Sequence, residues 1–307
     1  MSEAQAAGLT LAEVDARVIR RPARSYWRES WDRLLENRLG VIAGLFIVVL
    51  AAVALGAPLL SAYVTHFDPA RQDLTHNFLP PGRPHLLGTD ELGRDTLTRL
   101  IFGARISLGI GFLTVALLLL VGGTVGLLAG YYGGWLDTVL MRLVDVVLSF
   151  PAVFLYILLA ILFRPSTLTL SLIIASVAWA NVARLVRGQV LALREQDYVL
   201  ATRSLGAGDV RLMLRHLVPN ALPVIVVAAS ISVGQIILIE AALDFLGLGI
   251  QPPTASWGNM LTNAQVYFVH SAWLVYFPGL AIFLTVLAAN VFGNAVRDAF
   301  DPRLVRL

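Results

Sequence analysis

The sequence predicts an all-α integral membrane protein with six transmembrane helices. Hydrophobic residues make up 57% of the 307 residues and charged residues only 14%, whereas soluble domains carry about 25% charged residues. Six apolar stretches reach the roughly 20 residues that a helix needs to cross a bilayer core, and lipid admits only helices or closed barrels. The predicted spans cover about residues 40–64, 105–131, 136–163, 166–186, 221–246 and 272–296.

Arginine residues near the ends of these spans predict the orientation of the chain. They cluster in the N-terminal segment 1–39, in the segment 187–220 and in the tail 297–307, while the loop 249–271 carries no charged residue. Positively charged flanks favour the cytoplasmic side. We therefore expect both termini and the 187–220 segment in the cytoplasm, with the loops 65–104 and 249–271 outside.

Missing residue types exclude several chemistries. All 23 basic residues are arginine, and the chain has no cysteine. A phosphate-binding G-x-x-x-x-G-K-[ST] loop needs its lysine, and thiolate metal sites and disulfides need cysteine. No H-E-x-x-H pair and no nucleophile–base set stand out, which disfavours an intramembrane enzyme. We expect no catalytic residue, no metal and no cofactor on this chain, and a lipid bilayer rather than nucleic acid as a partner.

The first outer loop, residues 65–104, is predicted to end in an interfacial helix. Apolar residues follow helical spacing there: Leu97, Leu100, Ile101 and Ala104. The stretch 88–91 is expected to form the turn and cap before that helix. His66, His76 and His85 lie in the same loop, but their spacing matches no zinc signature.

Glycine and proline positions predict how two spans pack and bend. Gly122, Gly126 and Gly130 follow near-helical spacing on the second span, and such small residues let another helix approach closely. Pro151 lies inside the third predicted span and is expected to kink it, because proline removes a helix hydrogen bond.

Charged residues near the start of the third span are candidate functional groups. Asp137, Arg142 and Asp145 lie there, and ionisable residues at membrane depth are functional candidates by default. Arg142 and Asp145 are i, i+3 neighbours and are predicted to pair. We keep this pair both as a structural ion pair and as a candidate for a pathway or gate.

The segment 187–220 predicts a helical hairpin. Gly206 and Gly208 permit a tight reversal, Asp209 is suited to cap the helix that follows, and Pro219 is expected to end that helix. Apolar residues mark one face of the second helix: Val210, Met213, Leu214 and Leu217. The pattern fits a helix on lipid headgroups, a loop with incidental periodicity, or a docking element for a cytoplasmic protein.

The same segment resembles the cytoplasmic loop of ATP-binding-cassette importer permeases, whose pattern is E-A-A, three residues, G, nine residues, I-x-L-P. Ala201, Gly206 and Pro219 match this pattern, with Leu217 at its free position. The departures are Leu200, Thr202, His216 and Val218. Three further stretches resemble the dipeptide and oligopeptide branch of this family in the expected order, and they point to the second permease of its pair: residues 86–108, 242–261 and 297–304.

The resemblance implies the type I importer permease fold and a non-catalytic subunit in a bacterial or archaeal cytoplasmic membrane. Two separate ATPase subunits would carry ATP and magnesium, a homologous second permease would complete the pathway, and an extracytoplasmic solute-binding protein would deliver short peptides. The hairpin would couple to the ATPase. The residues expected to do so are Ala201, Thr202, Arg203, Leu205, Gly206, Asp209, Arg211 and Pro219.

Glu240 and Asp244 lie one helical turn apart on the fifth span, near its outer end. They are either pathway or gate residues that meet the positive N-terminus of a peptide, or groups that bond to neighbouring helices. A proton-coupled secondary transporter would use them as a proton relay, although no internal repeat of the kind such transporters show stands out. The same importer fold with nickel, opines or oligosaccharides as solute is a further alternative.

Overall fold

The computed structural model describes residues 26–300, and every regular element in that range is helical. The predicted segment before residue 26 and the tail after residue 300 lie outside the described residues. The helices are α1 Tyr26–Glu36, α2 Arg38–Leu55, α3 Ala57–Leu60, α4 Thr96–Tyr132, α5 Gly134–Leu148, α6 Ala152–Leu162, α7 Thr167–Arg194, α8 Asp197–Ser204, α9 Asp209–Leu212, α10 Val218–Phe245, α11 Ala264–His270 and α12 Trp273–Phe300. Shorter π and 3₁₀ turns are Ser61–Thr65, Leu74–His76, Met213–Leu217 and Asn259–Leu261.

Five helical stretches within the described range are long and apolar enough to cross a membrane, and α5 with α6 forms a sixth when they are taken together. The five are Arg38–Leu55, Thr96–Tyr132, Thr167–Arg194, Asp209–Phe245 and Trp273–Phe300. The predicted all-α fold with six spans is therefore confirmed. We call the end of the bundle with α8 and α9 the hairpin end, and the end with residues 66–95 and 247–263 the loop end.

The third span is broken into two helices. The sequence predicts one kinked helix over residues 136–163, but α5 and α6 meet at 82°. Pro151 stands at the break in an extended conformation, as the residue before α6. Proline lacks an N–H, and its ring disfavours helical backbone in the residue before it. The proline therefore ends one helix and begins another instead of bending a continuous one.

The glycine spacing predicts that another helix approaches α4 closely, and the structure confirms this, with α7 as that helix. A Cβ atom on Gly122 would lie 2.5 Å from the Trp179 carbonyl oxygen, and one on Gly130 would lie 2.9 Å from Val190 Cβ. Gly126 likewise faces the Ala183 carbonyl at a distance that excludes a side chain. Without these glycines the two backbones would be forced apart, which is why small residues line such interfaces.

The interfacial helix predicted over residues 97–104 is not a separate element. It is the first part of α4, which runs without a break from Thr96 to Tyr132. Asp95, rather than the stretch 88–91, caps it, because its side chain accepts a hydrogen bond from the Thr98 N–H at 2.8 Å. At 1.5 Å per residue, a 37-residue helix is about 55 Å long, so α4 extends from one end of the bundle to the other.

Pro219 does not end a helix, contrary to the prediction. The chain is helical from Asp209 through Phe245, and Pro219 stands in the first turn of α10. The π turn Met213–Leu217 precedes it, where the Val218 N–H donates to the Met213 carbonyl. A π turn spaces its hydrogen bonds five residues apart. We infer that this wider turn accommodates the proline ring and the missing N–H without a break.

Candidate functional site

The hairpin, residues 195–217, joins α7 to α10 at the hairpin end, and most of its residues are exposed. α7 continues to Arg194, eight residues beyond the predicted end of its span at 186, and carries the chain into α8. Gly206 reverses the chain with φ +85°, a conformation that favours glycine. Its N–H donates to the Arg203 carbonyl at 3.0 Å. The reversal between two helices is therefore where the sequence predicts it.

The apolar face predicted for the second half of the hairpin is divided in the structure. Met213 and Leu217 are buried, whereas 64% of Val210 and 62% of Leu214 is exposed. Leu212, which the spacing does not assign to that face, is fully buried. The buried side of this stretch therefore consists of Leu212, Met213 and Leu217, while Val210 and Leu214 lie on its exposed side.

The exposed side of the hairpin combines apolar and cationic side chains. Leu205, the residue after α8, is 89% exposed, and contiguous exposed apolar patches mark sites of contact with proteins or membranes. We call this set the docking surface, and it consists of Arg203, Leu205, Val210, Arg211 and Leu214. Of the other residues predicted to couple, Ala201 and Gly206 are also exposed, and Thr202 and Pro219 are partly buried.

Asp209 does not cap the second helix through its side chain, which corrects the prediction. Gly208 is the residue before α9, and Asp209 is the first residue of α9. The Asp209 carboxylate instead accepts a hydrogen bond from the Tyr131 hydroxyl at 2.6 Å. Because Tyr131 lies at the end of α4, this bond ties the start of the hairpin's second half to a membrane-spanning helix.

Asp145 pairs with Arg184 of α7 at 2.8 Å, and not with Arg142 as predicted. Asp137 makes a two-pronged contact with Arg187, at 2.5 and 2.6 Å. Spacing on one helix could not reveal these pairs, because the arginines come from a helix that packs alongside α5. Asp137 and Asp145 therefore join α5 to α7, whereas Arg142 is exposed.

Glu240 and Asp244 are fully buried at the loop end, with 0% and 1% exposure. The Ser107 hydroxyl of α4 donates to Glu240 Oε1 at 3.0 Å. The Ile250 N–H donates to Asp244 Oδ1 at 2.6 Å, and the Ser256 hydroxyl bonds to Asp244 Oδ2. We call these residues the outer cluster: Ser107, Glu240, Asp244 and Ser256. In this conformation the two carboxylates hold neighbouring elements together instead of facing an open pathway.

The loop that follows α10 folds closely over the outer cluster. A Cβ on Gly258 would lie 2.6 Å from Asp244 Cβ, so glycine is required for this approach. Trp257 is buried, and its indole N–H donates to the Leu100 carbonyl of α4 at 3.0 Å. A cavity of about 120 Å³ remains beneath the loop. Its charged lining is Asp90, Glu91, Arg94, Arg99 and Asp244.

The first outer loop contains a buried network of ion pairs. Asp90 accepts from Arg94 at 2.7 Å and pairs with Arg99 at 3.2 Å, and Arg94 also pairs with Glu91 at 2.6 Å. Burial, together with the nearby charge of Asp90, raises the pKa of Glu91. Only 3% of the surface of Arg94 and of Arg99 is exposed. Paired charges of this kind fix the loop against α4.

The three histidines of this loop do not converge. His76 contacts Asp73 at 2.8 Å, while His85 contacts Asp95 at 3.0 Å and stacks on Phe67. Between residues 26 and 300 no three His, Cys, Asp or Glu side chains form a group that could hold a metal ion. His76 and His85 therefore act as hydrogen-bonding groups of the loop.

Comparison with known protein families accounts for most of the chain. The family model described as binding-protein-dependent transport system inner membrane component matches residues 122–306. The chain belongs to this family of transport permeases. A second model, the N-terminal transmembrane domain of oligopeptide transport permease C, matches residues 25–81 of this permease. The resemblance drawn from the sequence is confirmed.

Individual relatives match this permease over nearly their whole length. The glutathione transport system permease protein GsiD of Pectobacterium atrosepticum is 41% identical over 92% of both chains. The dipeptide transport system permease protein DppC of Bacillus subtilis is 40% identical over 95% of this chain and 90% of the relative. The oligopeptide transport system permease protein OppC of Bacillus subtilis is 38% identical over 94% of both chains.

Several residues that shape the two ends of this permease escape sequence reasoning. Ser107 and Ser256 hold the outer cluster, and Tyr131 holds the hairpin. Each is a common residue in an ordinary helix or loop context, and its partner lies far away along the chain. Of the three, only Ser107 lies near a feature that the sequence shows. It belongs to the start of a long predicted span, at the same end of the bundle as the predicted carboxylate pair.

Proposed function

We propose that this permease forms half of the translocation pathway of an ATP-driven importer for short peptides. The relatives named above are permeases for dipeptides, oligopeptides and glutathione, and all three solutes are peptides. The identity of about 40% over more than nine-tenths of the chain supports the same solute class here better than nickel, opines or oligosaccharides.

The docking surface is the observation that carries the energy-coupling part of the proposal. Leu205, Val210 and Leu214 are exposed beside Arg203 and Arg211, so the surface offers apolar contacts to a partner and positive charge to its acidic groups. The hairpin is two short helices joined at a glycine, and helices transmit a displacement better than a flexible loop. We propose that separate ATPase subunits bind here, hydrolyse ATP with magnesium, and leave this chain non-catalytic and free of cofactors.

The same proposal orients the chain in a bacterial or archaeal cytoplasmic membrane. The arginine-rich hairpin end and both termini face the cytoplasm, by the positive-inside rule. The loop end faces outwards, where a solute-binding protein delivers the peptide. The exposed apolar faces of α2 and α12 include Ile42, Leu45 and Leu284, and they contact lipid or the homologous second permease.

The outer cluster bears on the competing proposal of a proton-coupled transporter. Glu240 and Asp244 are one helical turn apart and shielded from solvent. A proton relay would require both this spacing and this shielding in at least one state. Their bonds to Ser107, Ser256 and the Ile250 N–H favour a structural role instead. We propose that the cluster keeps the outer loop closed over α4 and α10 in the conformation described here, and that it opens when the gate opens.

A reconstituted complex tests the proposed function. The chain is purified with its two ATPase subunits, the second permease and the solute-binding protein, placed in liposomes, and assayed for uptake of labelled dipeptide with and without ATP. Uptake that requires ATP and the binding protein supports the proposal. Uptake by the permease alone, driven by a pH gradient without ATP, contradicts it and favours the secondary transporter.

A pair of glycine variants tests the role of the hairpin in the same assay. Gly206→Val places a β-branched residue at φ +85°, where such residues are strongly disfavoured, and we expect ATP-driven uptake to be lost. Gly208→Val is the matched control, because Gly208 has an ordinary extended backbone and open space around it. Equal uptake by the two variants would show that the reversal at Gly206 has no part in coupling.

A further inference from the structure

The contact between Tyr131 and Asp209 joins two parts of the chain that the proposed function requires to move together. The Tyr131 hydroxyl donates to Asp209 Oδ1 at 2.6 Å, across 78 residues of sequence. Asp209 begins the helical stretch that continues to Phe245. Tyr131 is the penultimate residue of α4. One hydrogen bond therefore connects the hairpin to the helix that reaches the loop end.

The backbone around Tyr131 is held rigidly from the other side. Arg194, the last residue of α7, donates from Nη1 to the Gly130 carbonyl at 3.0 Å and to the Tyr131 carbonyl at 3.3 Å. These are among the final carbonyls of α4, which lack partners within their own helix and attract cations. Gly130 also packs directly on Val190. The position from which the tyrosine side chain projects is therefore fixed to α7.

The hairpin itself is not packed continuously against the end of α4. A cavity of about 390 Å³ separates them, lined in part by Tyr131, Tyr132, Arg203, Asp209 and Leu212. Across such a gap, dispersion contacts between the two surfaces are missing. The hydrogen bond from the tyrosine hydroxyl to Asp209 is a direct polar link across this region between the hairpin and α4.

The other end of α4 is bonded to the outer cluster. Ser107 bonds to Glu240 of the outer cluster, and it lies on the same helix as Tyr131. The 24 residues between them correspond to about 36 Å of helix. A displacement of the hairpin that pulls on Tyr131 is therefore applied to the same rigid element that holds the outer loop.

We propose that Tyr131 is a positioning residue that transmits movement of the hairpin to α4 and, through α4, to the outer cluster. The proposal rests on the proposed function, since it requires an ATPase that moves the hairpin. Tyr131 contacts neither solute nor nucleotide in this role. It acts by keeping Asp209 and the end of α4 at a fixed separation while the hairpin is displaced.

Four variants in the reconstituted complex separate this role from simple packing. Tyr131→Phe removes the donor and keeps the ring, Asp209→Ala removes the acceptor, and Asp209→Asn keeps an acceptor oxygen without the charge. Tyr132→Phe is the matched control, because Tyr132 is exposed and the described residues offer its hydroxyl no hydrogen-bond partner. The readout is peptide transported per ATP hydrolysed, at equal amounts of assembled complex.

We expect Tyr131→Phe and Asp209→Ala to lower the peptide transported per ATP by up to about tenfold, because each removes the hydrogen bond entirely. Asp209→Asn should retain most of the ratio, and Tyr132→Phe should match the wild type. An unchanged ratio in Tyr131→Phe overturns the proposal. If Tyr131→Phe does not assemble, equal ratios for Asp209→Ala and Asp209→Asn overturn it.

A distance measurement tests the link independently of the solute. The chain has no cysteine, so spin labels can be attached to Trp135→Cys and Ser204→Cys, both exposed in the wild type, before assembly with the partners. We expect a broader distance distribution in Tyr131→Phe and Asp209→Ala than in the wild type and Asp209→Asn. Equal widths in all four overturn the proposed link even if the solute is a peptide. Broadening without peptide uptake by the wild type contradicts the solute assignment alone.

Discussion

The two ends of the helical bundle arrange their charged and apolar residues in opposite ways. At the loop end, Arg94, Arg99, Glu240 and Asp244 are all buried and bonded to partners within the chain. At the hairpin end, arginines and large apolar side chains such as Leu205 face outwards. The charged groups of the loop end are therefore mostly paired within the chain, although Glu240 Oε2 is buried without a hydrogen-bond partner among the described residues, whereas the hairpin end displays the features of a surface that another protein covers. Stability should depend on the first, and function with partners on the second.

The largest effect is expected where the loop end is most completely paired. Arg94→Ala would leave the buried carboxylate of Asp90 with Arg99 as its remaining ionic partner, and would leave the half-buried carboxylate of Glu91 without Arg94. Breaking a buried pair costs about 3–5 kcal/mol, because an uncompensated charge remains. We expect a large drop in melting temperature and in the monodisperse fraction in detergent.

Arg71→Ala is the control for this prediction, because Arg71 lies in the same loop and is exposed. It should change the melting temperature little. Similar losses for the two variants would show that the buried network does not stabilise the loop end, and the contrast between the two ends would fail.

The second prediction concerns α4 and α7, the two helices that connect the ends. Gly126→Val places a side chain against the Ala183 backbone, and overpacking of this kind costs about 1–3 kcal/mol or more. Gly123→Val on the same helix meets nothing within 4 Å and should be tolerated. The two are compared by thermal unfolding in detergent. Equal melting temperatures would contradict the close approach of the helices.

The third prediction concerns the hairpin end and sharpens the comparison. Leu205→Ser should change the stability of the isolated permease by no more than about 0.5 kcal/mol, as exposed substitutions usually do. It should weaken binding to the ATPase, measured by co-purification or by surface-based binding, by about 1 kcal/mol or more if Leu205 is central to the contact.

Leu74→Ser serves as its counterpart at the loop end, where Leu74 is also exposed. It should leave ATPase binding unchanged. A loss of stability in Leu205→Ser without a loss of binding would mean that Leu205 packs within the chain and not against a partner.

The smallest effect is a pH dependence in the first outer loop. Hydrogen bonds from Thr75 and His76 lower the pKa of Asp73 to about 2, below the value of about 3.9 expected in an unfolded chain. Because the folded-state pKa is the lower one, the ionised carboxylate stabilises the loop above pH 4, and this contribution is lost as the pH falls towards 2. Asp73→Asn should remove that part of the acid sensitivity, as measured by thermal unfolding between pH 5 and pH 2.5. Identical profiles for the variant and the wild type would contradict it.

Patterns that repeat along the chain predict the fold well, and contacts between distant residues explain most of the errors. The glycine spacing on α4 predicts a close helix neighbour, and α7 lies there. The expected pair of Arg142 with Asp145 fails because Arg184 of α7 reaches Asp145. Asp209 bonds to Tyr131 instead of capping its own helix, and no local pattern identifies a partner 78 residues away.

Local rules also fail where a neighbouring turn alters the geometry that they assume. Pro219 is predicted to end a helix, but the π turn Met213–Leu217 accommodates it. Pro223 and Pro278 also lie inside continuous helices, whereas at Pro151 the chain breaks, at 82°.

The sequence by itself determines that this protein crosses a membrane as helices and where it reverses, because hydropathy, arginine placement and Gly206 act locally. The tertiary structure alone decides which charged groups are paired, since Glu240 and Asp209 find partners on α4 and Asp244 finds one in the loop after α10. It also decides that the loop end is closed on itself while the hairpin remains uncovered. The physical reason is that a hydrogen bond or ion pair depends on two atoms within about 3 Å, and only the packing of whole helices brings such atoms together.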